Sequence, residues 1–167
     1  MGENIRRILL AGLFLIAAMP MAQAACVEPP APGVDWRRCD FSGRNLADAD
    51  LSGANLGDAR FLRSNLDRAD LSGADMRRAR FITASMKGIR LDKVQALAAD
   101  LTKADLSGAS LVGADLRQAR LYDANLREAD LTDARIEQAD LLGAQLAGAR
   151  WIDGTTVCAA GSVSTCQ

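Results

Sequence analysis

The stretch "ADLRQARLYDANLREADLTDARIEQADLLGAQLAGA", from Ala114 to Ala149, sets a large apolar residue at every fifth position and an alanine two residues before each one. A helix cannot use this spacing. Successive fifth residues are rotated by about 140° around a helix, so the leucines would be scattered over its whole circumference. A flat strand fails as well, because an odd step sends successive leucines to opposite faces. What remains is a chain that turns a corner once per quintet and points the same position inward each time, which is a solenoid.

The phase holds far beyond this stretch. Stepping by five from Trp36 to Trp151 gives 24 positions, of which only Ala96 is small. The position two residues earlier is alanine in 18 of 23 cases, the others being Cys39, Arg44, Ser64, Ile89 and Val94. The interior therefore takes one row of large and one row of small side chains. Between them lies a residue that is mostly Asp, Asn or Arg, suited to facing solvent or to capping a turn through its side chain.

The pattern A-[DN]-L-x-x, plain in "SGANLGDARF" (52–61), "ADLSGADM" (69–76) and "ANLREADL" (124–131), resembles that of the pentapeptide-repeat proteins over about residues 36 to 153. The resemblance implies an all-β fold, a right-handed quadrilateral β-helix with four pentapeptides per coil and stacked leucines filling the bore. The sequence carries its own support for twenty residues per coil. Phe41, Phe61 and Phe81 are the only phenylalanines in the register and fall into one column. The polar positions Asn45, Asn65, Ser85, Asp105, Asn125 and Gln145 form a column nearly free of charge, whereas Asp40, Arg60, Arg80, Asp100, Arg120 and Asp140 form one of mixed sign. About six coils at roughly 4.8 Å each make a rod about 29 Å long.

One stretch departs from the pattern. "MKGIRLDKVQALAAD" (86–100) has Ile89 and Val94 where alanine is usual and Ala96 where leucine is usual. The unbroken phase from Leu91 to Leu101 favours a large-for-small exchange inside a regular coil. The other reading is a bulge or short helical turn, since the local helix propensity is good.

Before the repeats, Arg6 and Arg7 precede the apolar run "ILLAGLFLIAAM" (8–19) and the small-x-small site Ala22-Gln23-Ala24. This is the layout of a cleaved signal peptide over residues 1–24, and it points to a periplasmic or secreted protein. The rival is a lipoprotein acylated at Cys26, against which Gln23 stands where such a motif wants leucine. No membrane span is expected in the mature chain, because the run is short and no later segment reaches eighteen apolar residues. Cleavage after Ala24 removes Glu3, Arg6 and Arg7 and leaves 18 basic and 20 acidic residues, a net charge of −2. Residues 25–35 then form an N-terminal cap or linker, 36–153 the repeats and 154–167 a C-terminal cap.

Export changes how the four cysteines are read. In an oxidising compartment they form two local pairs flanking the repeats, Cys26 with Cys39 and Cys158 with Cys166. Each short loop is expected to fold over an in-register tryptophan, Trp36 or Trp151, and cover an open end of the bore. The tail "WIDGTTVCAAGSVSTC" (151–166) also resembles the terminal segment of exported members of the family. No metal or cofactor is expected, since the chain has no histidine and no Cys-x-x-Cys. Catalysis is not expected either: carboxylate pairs such as Asp48 with Asp50 and Asp130 with Asp133 fall on a convex wall without a concave pocket.

Binding is the better-supported role. The outward residue after each central position on the phenylalanine wall reads Ser42, Leu62, Ile82, Thr102, Tyr122 and Leu142, far more apolar than the next row, Ala47, Asp67, Lys87, Ser107, Arg127 and Ala147. Leu62, Ile82, Tyr122 and Leu142 form a candidate ladder for another protein or a second copy of the chain; a β-favouring surface row is the other reading. Arg60, Arg63, Arg68, Arg77, Arg78 and Arg80 gather positive charge that suits an anionic envelope component or, on the other reading, a solvated face. The resulting expectation is an exported structural and interaction scaffold. The alternative drawn from the family, DNA mimicry that protects a type II topoisomerase, needs a strongly acidic surface and access to the cytoplasm. Mixed charge and a signal peptide argue against it, and no nucleic-acid partner is expected.

Overall fold

The computed structural model describes residues 25–167. The signal-peptide reading of residues 1–24 lies outside the described residues. Apart from a single 3-10 turn at Ala25–Val27, the described chain is a succession of tight turns and single-residue bridges. Asp35 pairs in parallel with Asn55, Asp40 with Arg60, Asn45 with Asn65 and Asp50 with Asp70, and the same step of twenty continues to Asp130 with Arg150. The pairings form four columns, and the chain passes above itself once every twenty residues. They are isolated bridges rather than continuous strands.

Hydrogen bonding explains why each quintet has its composition. In the quintet around Leu56, the N–H of Asn55 donates to the Val34 carbonyl one level below, and those of Leu56 and Asp58 donate to Asp75 and Arg77 one level above. Ala59 closes the turn by donating to the Leu56 carbonyl at 2.9 Å. Four of the five N–H groups are thus satisfied by backbone. The fifth, on the residue after the central leucine, is left to a side chain. Where the preceding polar position is Asp, its Oδ1 takes that N–H, as Asp40 does for Ser42 at 2.9 Å, Asp70 for Ser72 at 2.9 Å and Asp130 for Thr132 at 2.9 Å. The expected turn cap is present.

The turns also demand a left-handed residue. The third turn position has a φ near +60°, as at Gly53 (63°), Arg63 (55°) and Thr83 (55°), the signature of a type II turn. Glycine accepts this geometry without penalty, whereas a β-branched side chain is strained there.

Inside, the two rows pack as the register requires. Leu56, Phe61, Leu66 and Leu71 are fully buried, as are Ala54, Ala59, Ala69 and Ala74. Phe41, Phe61 and Phe81 stack with ring centroids 5.4 and 4.8 Å apart, and Trp36 lies 4.1 Å from Phe41 at the lower end. Residues 87–100 stay in the coil: Ile89, Val94 and Ala96 are buried in their slots, and Arg90 and Gln95 keep their bridges. The large-for-small exchange is the correct reading.

Both ends carry the expected cysteine pairs. Cys26 and Cys39 are bonded with Cα atoms 5.5 Å apart, and Cys158 and Cys166 with Cα atoms 4.9 Å apart. Cys39 occupies an inward alanine slot and is 1% exposed, so the first loop is anchored in the core. At the other end the chain folds back antiparallel, pairing Val157 with Arg150 and Val163 with Gln145. That cap runs over only two of the four columns. Trp36 is sealed as expected, but Trp151 is only half-buried, with Ile136 and Leu141 beside the open columns also half-buried. No helix among the described residues is long and apolar enough to cross a membrane.

Two measurements follow from these turns. Thr83→Gly removes a strained β-branched residue at φ 55° and should stabilise the fold by about 0.5–1 kcal/mol once the greater freedom of glycine in the unfolded chain is counted, seen as a higher Tm. The capping carboxylates set the pH dependence. Asp153 is held at about 2 by the Thr156 hydroxyl and by the N–H groups of Thr156 and Thr155, and Asp40 is lowered by the Ser42 hydroxyl and N–H. Carboxyls whose native pKa is depressed stay charged in the fold after the unfolded chain has begun to take up protons near pH 4, so their contribution is full above that range and lost below it. The Tm should be flat from pH 8 to about pH 5 and fall from about pH 4 towards pH 2, and Asp153→Asn should flatten the lowest part of that descent.

Candidate functional site

The step of twenty brings Leu62, Ile82, Tyr122 and Leu142 onto one wall, each at the first outward turn position. Their backbones stitch successive levels: Gly43 donates to the Leu62 carbonyl at 2.8 Å, Arg63 to Ile82 at 3.1 Å, Lys103 to Tyr122 at 2.9 Å and Asp123 to Leu142 at 2.9 Å. The side chains are unequal. Leu62 and Ile82 are half-buried, Tyr122 is 38% exposed and Leu142 63%, with Thr102 interrupting the row. The apolar ladder is therefore graded, shallow at the cysteine-capped start and prominent near the C-terminal cap.

The cluster of arginines divides into two groups. Arg68 forks Asp48 one level below with bonds of 2.7 and 2.7 Å, Arg78 does the same to Asp58 at 2.8 and 2.7 Å, and Arg77 forks Asp75 of its own quintet at 2.8 and 2.5 Å. Hydrogen bonds from these guanidinium groups hold Asp48, Asp58 and Asp75 below the usual carboxylate range. Such bidentate pairs lock both partners in place, although exposed as they are they add little stability. Arg60, Arg63 and Arg80 form no ion pair among the described residues, and Arg38 beside them forms none either.

The walls are not uniformly convex, which corrects the expectation. Arg38, Asp40, Asp58, Arg60, Arg78 and Arg80 surround an open depression of about 650 Å³ at one corner of the solenoid. A second, of about 1100 Å³, adjoins it and shares Arg38, Asp40, Asp58 and Arg78. It runs lengthwise from the Cys26–Cys39 bridge past Gly57 to Gln118. The corner depression has four arginines against two aspartates and is basic. Asp48 with Asp50, and Asp130 with Asp133, do not lie in either depression. Asp130 is engaged by Thr132, whose N–H and hydroxyl both donate to its Oδ1. No group of three or more metal-ligating side chains is assembled among the described residues.

Sequence reasoning missed a detail at the capping position. Six arginines stand there: Arg60, Arg80, Arg90, Arg120, Arg135 and Arg150. Four reach a carboxylate one level below: Arg90 to Asp70 at 3.3 Å, Arg120 to Asp100 at 3.5 Å, Arg135 to Asp115 at 4.0 Å and Arg150 to Asp130 at 3.5 Å. Arg60 and Arg80, on adjacent levels, do not. With arginine in place of aspartate, the turn N–H groups that follow all six, on Leu62, Ile82, Asp92, Tyr122, Glu137 and Ile152, have no acceptor among the described residues.

A model of pentapeptide repeats matches the chain in eight copies over residues 45–81 and 99–138. Among solved structures, HetL of the cyanobacterium Nostoc, a pentapeptide repeat protein involved in heterocyst differentiation regulation, is 33% identical over 75% of this chain with a TM-score of 0.55. This chain spans 66% of HetL's length. A pentapeptide repeat protein from the Arabidopsis thaliana thylakoid lumen is 28% identical, with 73% of this chain and 74% of that one covered and a TM-score of 0.52. QnrB1, a plasmid-mediated fluoroquinolone resistance protein, is 22% identical over 72% of this chain and 64% of its own, with a TM-score of 0.47, too distant to carry a functional argument. No curated protein sequence matches. Quintets in unbroken phase, bridges at a step of twenty and these matches lead to one conclusion: the chain belongs to the pentapeptide-repeat proteins.

Proposed function

We propose that this protein is an exported, disulfide-capped pentapeptide-repeat scaffold without catalytic activity, a right-handed quadrilateral β-helix of about six coils whose walls present side chains to a partner in the periplasm or outside the cell. The observation that carries the reading is the pairing of all four cysteines within the chain, one bridge at each end of the repeats. Such bridges persist in oxidising compartments and are rare in the cytosol. The charged, apolar and small-x-small succession in residues 1–24 supports the same location. The similar Arabidopsis chain is a protein of the thylakoid lumen, which fits a place outside the cytosol.

A binding role suits the walls. Asp75 and Asp115 are held by Arg77 and Arg117, and Asp40 by Ser42, so these carboxylates are occupied with structure rather than poised to move protons. DNA mimicry asks for a consistently acidic wall, whereas the column Asp40, Arg60, Arg80, Asp100, Arg120, Asp140 is of mixed sign. The graded ladder ending at Tyr122 and Leu142 is the apolar surface offered to a protein partner or a second copy.

Fractionation of cells producing the tagged chain should place it in the periplasm or medium, shortened by residues 1–24 and lighter than its reduced form by four hydrogens. A full-length, reduced, cytoplasmic chain would contradict the proposal. Reduction of the purified protein should lower its Tm, because loops of 13 and 8 residues contribute about 2–4 kcal/mol each at most. Capture from periplasmic extract should be lost on Tyr122→Asp, and unchanged capture would remove the ladder from the proposal.

A further inference from the structure

We infer that Arg60 and Arg80, with the N–H groups of Leu62 and Ile82, form a paired carboxylate-binding site for an acidic segment of a partner protein. The inference rests on the scaffold reading and names the chemistry of its partner. In the quintets capped by aspartate the turn N–H goes to that residue's own Oδ1, as at Ser52, Thr102 and Ser107, and where the quintet lacks a carboxylate another can stand in. Ser85 occupies the capping position before Lys87, and there Asp67 from the level below accepts the Lys87 N–H at 2.9 Å and the Ser85 hydroxyl at 2.6 Å. That arrangement is an internal precedent for a carboxylate entering from outside the quintet.

None of the six arginine-capped quintets gives its turn N–H an acceptor among the described residues, and of the six only Arg60 and Arg80 are also left without an ion pair. Each stands two residues before its turn N–H, that of Leu62 or Ile82, and neither has a carboxylate within ion-pairing distance. Asp40, one level below Arg60, feels its charge but makes no ion pair with it, and its Oδ1 accepts from the Ser42 hydroxyl and N–H at 2.6 and 2.9 Å. Below Arg80 stands Arg60 itself. The two openings lie on adjacent levels, about 4.8 Å apart. Arg38, also without an ion pair, faces the same basic depression. The site therefore asks for two carboxylates about 5 Å apart, each accepting one backbone N–H and one guanidinium donor. Glutamates at i and i+4 of a helix present their side chains at about that spacing. The half-buried side chains of Leu62 and Ile82 lie alongside, so an apolar residue next to the acidic pair completes the match.

The test uses the purified protein and a labelled helical peptide carrying one Glu pair at i and i+4 flanked by leucine. In an amide NMR titration the Leu62 and Ile82 N–H resonances should move downfield, while Thr102, whose N–H is already held by Asp100 at 3.1 Å, stays fixed. Arg60→Asp with Arg80→Asp gives both turns their own cap. Binding should weaken by about tenfold or more while Tm is unchanged or raised, and Arg63→Gln on the same wall should alter binding less than twofold. A peptide with the glutamates at i and i+2 should bind more weakly. The inference is overturned if the Leu62 and Ile82 amides stay fixed, if the double Asp variant still binds, if both peptides bind alike, or if a uronate oligomer is preferred to the peptide. Because no export is involved, failure here leaves the fractionation result standing on its own.

Discussion

Every quintet must place one large and one small side chain on a common axis and still satisfy five N–H groups. The first demand is met by leucine and alanine two residues apart, both fully buried through most of the solenoid. The second is met by two bonds to the level above, one to the level below and one across the turn. The fifth N–H is left to a side chain. The aspartate or asparagine of the repeat is therefore as much a part of the backbone's hydrogen bonding as the backbone itself. Burial of a leucine is worth about 1.5–3 kcal/mol, so the axis dominates the energetics, and the outward positions are left free to vary.

That division explains what could be read from the sequence. The inward rows, the phenylalanine stack and the continuity of residues 87–100 were legible because each depends only on phase, and the cysteine pairs because the four cysteines stand as two local pairs at the ends of the repeats. Ile89 and Val94 fit alanine slots with Ala96 in the large row nearby, an exchange of volume within the bore. The turn caps were legible for the same reason.

Outward features were less so. Arg68 and Arg78 lean down to the level below, whereas Arg77 turns back on its own quintet, and nothing in the spacing distinguishes them. Arg60 has an aspartate twenty residues earlier just as Arg120 has, yet only Arg120 makes the ion pair. The depressions beside these arginines are products of such leanings, and so escaped a reading based on phase. Trp151 was placed correctly in register, but its exposure is decided by a cap that pairs antiparallel with two columns and leaves the others uncovered. Side-chain direction and the path of the terminal segment are three-dimensional facts that periodicity does not encode.

Regular backbone and irregular surface are thus separable, and the separation bears on function. A solenoid stabilised from within can change its walls without changing its fold, which is why family membership alone does not name a partner. The claim beneath all of this is that the chain counts in fives. Deleting Ser107–Leu111 removes one whole quintet, while deleting Ser107–Ser110 removes fewer residues but breaks the phase between Leu106 and Leu111. Thermal melting followed by circular dichroism should show a cooperative transition for the five-residue deletion and a lost or far lower one for the four-residue deletion. Equal stability of the two would contradict the account.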